Sequence, residues 1–305
     1  MSSFSWMRAV AVAAEDGIVH RGAFYDCGGI ATVIHVHGKC GNFYENEFIE
    51  RLACVYAKAG LNTLAVNNRG RDCISEAYCK GQLCYVGGAL EQFELSVADI
   101  GGAVSYVSGL GHLAVLQGHS HGCEKVLWYL SQRSDVAALI LLSPANSYGL
   151  QNCWRSPETV EEQVERLTAL GGQDPDHLSL LPSNEYGVRT ARRCYSIPTT
   201  RPSLIGWLMS AGIHTFDPGV SWCHPQLQVP AFAYIGGEDD MQLDGWQITA
   251  ECVKDRLPDA RVMTLPKGDH HMRGCETEVA EGVVDWMVKQ SELELTGSRR
   301  AVHRR

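Results

Sequence analysis

Ser120 lies in Gly118-His-Ser-His-Gly122, between the short apolar run Leu113-Ala-Val-Leu-Gln117 and a stretch in which Val126, Leu127 and Leu130 recur at helical spacing. Strand, sharp turn and helix in that order describe a nucleophile elbow. There the serine takes a strained backbone position, and the glycines two before and two after it let neighbouring backbone come close. A serine hydroxyl attacks well only when a base removes its proton, and that base needs an acid to hold its tautomer and stabilise its cation. Two later turns offer both. Gly236-Gly-Glu-Asp-Asp240 follows an apolar run ending at Ile235, and Pro266-Lys-Gly-Asp-His-His271 follows one ending at Leu265. Asp240 is the expected acid, because Gly237-Glu-Asp-Asp240 resembles the common Gly-x-x-Asp turn; Asp239, paired with Gly236, is the alternative. His270, four residues before Gly274, is the expected base, with His271 second.

These residues need a scaffold that brings three turns to one edge. Residues 7–14 and 18–25 read as two strands joined by Glu15-Asp-Gly17, whose Asp-Gly pair signals a hairpin. A continuous apolar strand at 31–36 precedes the Gly-rich loop 37–42, a helix at 47–59 closed by Gly60, and a strand at 61–66. A loop over 67–88 leads to a helix at 89–108, then the serine strand, then a strand at 137–142. Alternation resumes with a strand at 229–235, a helix at 243–256, a strand at 260–265 and a last helix to about 289. Repeated βα units require a mostly parallel sheet covered on both faces. The gap between the strands at 137 and 229 is too long for an ordinary connection, so it reads as an insertion, expected over the carboxyl ends of the strands as a cap. The expected organisation is a core formed by 1–147 and 226–292, a cap over 148–225, and a disordered basic tail at 293–305.

The chain has 305 residues, 45% hydrophobic and 20% charged, enough for a substantial core. Its 26 basic and 35 acidic residues give a net charge of −9, which recommends neither nucleic acid nor an anionic membrane surface as partner. Twelve cysteines without a C-x-x-C pair are too sparse for a disulfide scaffold and read as reduced thiols. The N-terminus carries neither a signal peptide nor a membrane span, which points to the cytoplasm.

The motifs His37-Gly-x-x-Gly-Asn-Phe-Tyr-Glu-Asn46, Asn67-Asn-Arg-Gly-x-Asp72, Gly88-Ala-x-Glu-x-Phe93 and Gly118-His-Ser-His-Gly-Cys-Glu-Lys125 resemble serine α/β-hydrolases, and more narrowly a bacterial branch of that superfamily. The resemblance covers most of the chain outside the insertion. It implies an α/β-hydrolase fold and the triad order Ser, acid, His. It also implies an oxyanion hole formed by the His121 amide and by the Lys39 amide, since His37-Gly38-Lys39 is similar to the HG-x signature. The expected activity is hydrolysis of an ester or thioester of a small-molecule acyl substrate, free or carrier-bound, through an acyl-enzyme. An acyltransferase or cyclising thioesterase with the same triad, and a binding protein that kept the fold without turnover, are the alternatives. Candidate substrate contacts are Gly38, Tyr44, Trp154, Trp207 and Trp222. The concentration of His35, His37, His119, His121, His270 and His271 raises a metal reading, but no H-E-x-x-H or Cys-His ligand spacing accompanies it, so neither metal nor cofactor is expected.

Overall fold

The computed structural model describes residues 7–145, 227, 229–242, 245–257 and 259–302. Ten strands are described: β1 Met7–Ala13, β2 Ile18–Tyr25, β3 Ala31–Val36, β4 Leu61–Val66, β5 Ser75–Cys79, β6 Gln82–Val86, β7 Leu113–His119, β8 Ala138–Leu142, β9 Ala231–Gly236 and β10 Arg261–Leu265. They form one sheet in the order β10-β9-β8-β7-β3-β4-β2-β5-β6, with β1 paired to β2. β3, β4, β7, β8, β9 and β10 run parallel, while β1, β2, β5 and β6 pair antiparallel. The Asp16-Gly17 turn joins β1 to β2 as its residues demand, with Gly17 at φ 97°.

Side chains of the central strands alternate between two apolar layers, as the period of two requires. Ile34, Val36, Leu116, Leu139, Leu141, Ala233 and Ile235 meet helices α2 (Ser96–Gly109), α3 (His121–Leu130) and α4 (Trp246–Arg256) on one face. Val33, Val115, Ile140, Leu142, Phe232 and Tyr234 meet α1 (Glu47–Lys58) and α5 (Glu276–Val302) on the other. Both faces being covered explains why these strands read as unbroken apolar runs. Among the described residues no helix is long and apolar enough to cross a membrane.

The parallel register fixes where the strands end. Val36 lies level with Val66 and with Gly118, His119 with Leu142, Leu142 with Tyr234, and Gly236 with Leu265. The turns that follow β3, β4, β7, β9 and β10 therefore open at one edge of the sheet.

Three elements differ from the sequence reading. The 67–88 loop contains the β5–β6 hairpin, closed by Lys80 and Gly81, both at positive φ, a two-residue turn without the Asn-Gly or Asp-Gly signal. The helix expected from 89 begins instead as a 3-10 turn, Phe93–Leu95, leading into α2. α5 continues to Val302, past the end expected near 289 and through most of the stretch expected as a disordered tail at 293–305; no proline interrupts it. The insertion expected at 148–225 lies outside the described residues.

Gly102 of α2 packs so closely on β1 that a methyl group there would overlap the Ala13 carbonyl oxygen and the Ala14 backbone. Glycine-to-alanine changes inside helices ordinarily stabilise by about 1 kcal/mol. At this position overpacking against main chain, which costs about 1–3 kcal/mol, opposes that gain. Gly102→Ala should therefore lower the urea midpoint, and a raised midpoint would show that β1 yields freely.

Candidate active site

Ser120 is the junction of β7 and α3, with φ 55° and ψ −126°, in the left-handed half of backbone space that a non-glycine residue enters only at a cost of about 1–3 kcal/mol. The surroundings hold it there. Its amide donates to the Leu142 carbonyl at 3.0 Å, and its carbonyl accepts from the Cys123 amide at 2.9 Å. The buried Cys123 thiol bonds the Gly118 and Leu142 carbonyls. A side chain at Gly122 would overlap the Val36 carbonyl, and one at Gly118 would meet the Cys123 backbone at 2.6 Å, so both glycines of the motif are required by close approach of main chain.

The turns after β9 and β10 interlock through backbone. The Gly237 amide donates to the Leu265 carbonyl at 2.8 Å and the Glu238 amide to the Gly268 carbonyl at 2.9 Å. This contact directs Asp239 inward, where its side chain is wholly buried, and leaves Asp240 exposed. Asp239 Oδ1 accepts from His270 Nδ1 at 2.9 Å and from the Met241 amide at 2.9 Å, while Oδ2 accepts from Gln242 Nε2 at 3.0 Å. Gln242 is held in turn by the Pro144 carbonyl at 2.8 Å. Asp239, the alternative, and not the expected Asp240, makes the bond to His270: pinning residues 237 and 238 to the β10 turn sets which of the adjacent aspartates points at the histidine. His270 rather than His271 makes that bond. The His271 ring stands beside it, 5.2 Å between centroids, and burial together with the His270 charge lowers its proton affinity.

His119, next to Ser120, ties the serine turn to the His270 loop. Its Nε2 donates to the His270 carbonyl at 2.8 Å, and its ring lies 5.1 Å from that of His270 and 4.8 Å from Phe48. Burial first, and then His270, hold His119 well below the ordinary histidine pKa, so it stays neutral and keeps that donor.

The loop after β3 closes the other side. A Cβ at Gly38 would lie 2.9 Å from Ser120 Cβ and 3.4 Å from the His121 nitrogen, so the His37-Gly38-Lys39 backbone is brought against the serine and the amide that follows it. The Lys39 side chain is exposed. The His121 side chain turns inward, with Nδ1 bonded to Glu124 and its ring 5.4 Å from Phe93.

Tyr44 is placed elsewhere than expected. Its hydroxyl donates to Asp72 Oδ1 at 2.6 Å, and the residue lines a separate cavity with Met7, Ala9, Tyr25, Glu47 and Arg51, to which none of Ser120, Asp239 and His270 contributes. Trp154, Trp207 and Trp222 lie outside the described residues.

Asn68, Glu91 and Lys125 stand in the motifs quoted from the sequence without any role assigned to them, and Gln242 carried no signal; all three motif residues are buried, Lys125 fully.

No protein-family model matches the chain, and no curated protein matches it. Solved structures do. Est1E from Butyrivibrio proteoclasticus, with ferulic acid bound, is 18% identical, with 93% of this chain and 100% of that one covered at a TM-score of 0.64. The α/β hydrolase GrgF from Penicillium sp. sh18 is 12% identical, with 93% and 98% covered at 0.66. The Pyrococcus furiosus esterase Pf2001 is 16% identical, with 93% and 92% covered at 0.58. Together with the sheet order these likenesses establish the α/β-hydrolase fold.

Buried histidines add a pH dependence. His35 is pushed down to about 3 by burial, and His37 and His119 well below their ordinary value, again chiefly by burial. Unfolded histidine titrates near 6.5, so below that pH the unfolded chain binds protons the folded one refuses, and stability falls as pH drops. Each such group steepens the loss by up to about 1.4 kcal/mol per pH unit. Urea midpoints should therefore decline steadily from pH 6.5 to 4; a flat profile over that range would contradict the buried neutral state.

Proposed function

We propose that this chain is a serine hydrolase that cleaves an ester or thioester through an acyl-enzyme. The observation that carries the reading is a serine held at φ 55° whose neighbour His119 is bonded to the backbone of His270, a histidine whose Nδ1 is bonded to a wholly buried carboxylate. With Nδ1 committed to Asp239, His270 has Nε2 left for proton transfer. Ser120 Oγ attacks the acyl carbonyl as its proton passes to His270 Nε2. The tetrahedral oxyanion is met by the His121 and Lys39 amides. Collapse breaks the bond to the leaving alcohol or thiol, which takes the proton from His270. Water then attacks the acyl-enzyme, gives its proton to His270, and restores the serine. Asp239 holds the His270 tautomer and stabilises the imidazolium as it forms.

Among the similar structures Pf2001 is an esterase and GrgF an α/β hydrolase, which supports this reaction class. The 148–225 segment, with Trp154, Trp207 and Trp222, is the part of the chain to which we assign selection of the acyl group.

Ser120→Ala should abolish labelling by a fluorophosphonate and reduce turnover of p-nitrophenyl esters by roughly 10³-fold or more. Asp239→Asn and His270→Ala should each cost at least about 10²-fold, whereas Asp240→Asn and His271→Ala should stay within a few fold of wild type. Full activity in Ser120→Ala would end the serine reading, and a dominant loss in Asp240→Asn would return the acid to that residue.

A further inference from the structure

Lys125 lies wholly buried on α3, the helix that begins at the serine turn, and its ammonium is ion-paired with Glu91, itself buried. A buried charge that loses its partner costs several kcal/mol, so this pair is committed to one geometry. Lys125 Nζ also donates to Asn68 Oδ1 at 3.0 Å, reaching from the serine helix to the loop after β4. That loop is rigidly held: the next residue, Arg69, donates to Asp99 of α2 from its amide at 2.9 Å, from Nε at 3.0 Å and from Nη2 at 2.8 Å. Asn68 Oδ1 further accepts from the Gly70 amide at 2.9 Å.

Asn68 then grips His37. Its amide donates to His37 Nε2 at 3.0 Å, and its Nδ2 donates to the His37 carbonyl at 3.3 Å. With Nε2 accepting, the ring proton must be on Nδ1, which donates to the Gly38 carbonyl at 2.8 Å. Burial, followed by the Lys125 charge, holds His37 well below its ordinary pKa and so preserves this tautomer. The Gly38 carbonyl and the Lys39 amide belong to one planar peptide, so a bond that fixes the direction of the C=O fixes the N–H in the opposite direction.

We propose that Lys125 and Asn68 are positioning residues that, through His37, hold the Gly38–Lys39 peptide at the angle at which its N–H meets the reaction's oxyanion. The inference rests on the serine hydrolase reading above. It makes the two oxyanion donors mutually referenced: one is the first amide of α3, and the other is held by a side chain rooted four residues further along the same helix. Neither Lys125 nor Asn68 touches substrate; their effect falls on the transition state, where the negative charge develops, and not on ground-state binding.

The experiment compares wild type, Asn68→Ala and the double variant Lys125→Met with Glu91→Gln, which removes both charges and leaves neither buried alone. Activity is expressed per folded molecule. Removing an oxyanion donor outright costs about 10²–10³ in kcat, so misdirecting one should lower kcat by about 30-fold in Asn68→Ala and about 10-fold in the double variant, with KM within about threefold. Affinity for a trifluoromethyl ketone, whose serine adduct carries the oxyanion, should fall in parallel. A purely structural role would lower the melting temperature and leave kcat per folded molecule and ketone affinity unchanged, and that result overturns the proposal. Should Asn68→Ala fail to fold, the double variant decides by the same two readouts. Wild type that neither labels at Ser120 nor turns over esters removes the serine hydrolase reading, and this inference with it; active wild type with unmoved variants overturns the inference alone.

Discussion

The left-handed turn at Ser120 is the constraint around which the molecule is arranged. A serine at φ 55° is unfavourable by itself and persists only because its neighbours leave no alternative: the amide is tied to β8, the carbonyl to the first turn of α3, and glycines stand where β3 and α3 main chain close in. The strain is therefore borne by a parallel sheet whose central strands are buried on both faces. The same close approach that requires Gly122 brings the loop after β3 within reach of the serine. Geometry at Ser120 and geometry at the Gly38–Lys39 peptide thus follow from a single packing decision.

Around that turn the polar groups form two supports with different characters. On the β9–β10 side, the chain of bonds runs Pro144, Gln242, Asp239, His270, His119, and its members come from the ends of four adjacent strands or the turns after them. On the β3–β4 side it runs Glu91, Lys125, Asn68, His37, Gly38, and includes a buried ion pair. The first support aligns the groups to which we assign proton transfer. The second contains histidine and lysine as fixed dipoles and charges, with His37 kept neutral by burial and by Lys125. One ends at His119, next to Ser120, and the other at Gly38, whose backbone packs against Ser120; in the proposed reaction, dipoles set in advance in this way need no reorganisation as charge develops.

Much of this was legible in the sequence where a local rule applied. The alternation of apolar strands with amphipathic helices reports a doubly covered parallel sheet, because burial on both faces demands continuous apolar strands and one-sided helices. Asp16-Gly17 gave its hairpin through the positive φ that glycine tolerates. Gly118 and Gly122 flanking Ser120 announce the strained turn, and the spacing of His270 from Gly274 favours the histidine that bonds Asp239. The β5–β6 hairpin was missed because Lys80-Gly81 is a weak turn signal and its strands are short.

What the sequence alone determined, then, is whatever depends on residue type and short-range spacing: the layers, the serine turn, and the pair of turns that carry the paired aspartates and the paired histidines. Tertiary structure decided everything that depends on where a turn is anchored. Asp239 and Asp240 are chemically identical, and only the bonds from Gly237 and Glu238 to the β10 turn determine which of them faces inward. Tyr44 belongs to a motif beside the site, yet its bond to Asp72 sends it to another cavity. Lys125 is separated from Asn68 by 57 residues and from Glu91 by 34 in the chain, so no local pattern could pair them; their contact exists only because the sheet sets α3 beside the loops that follow β4 and β6.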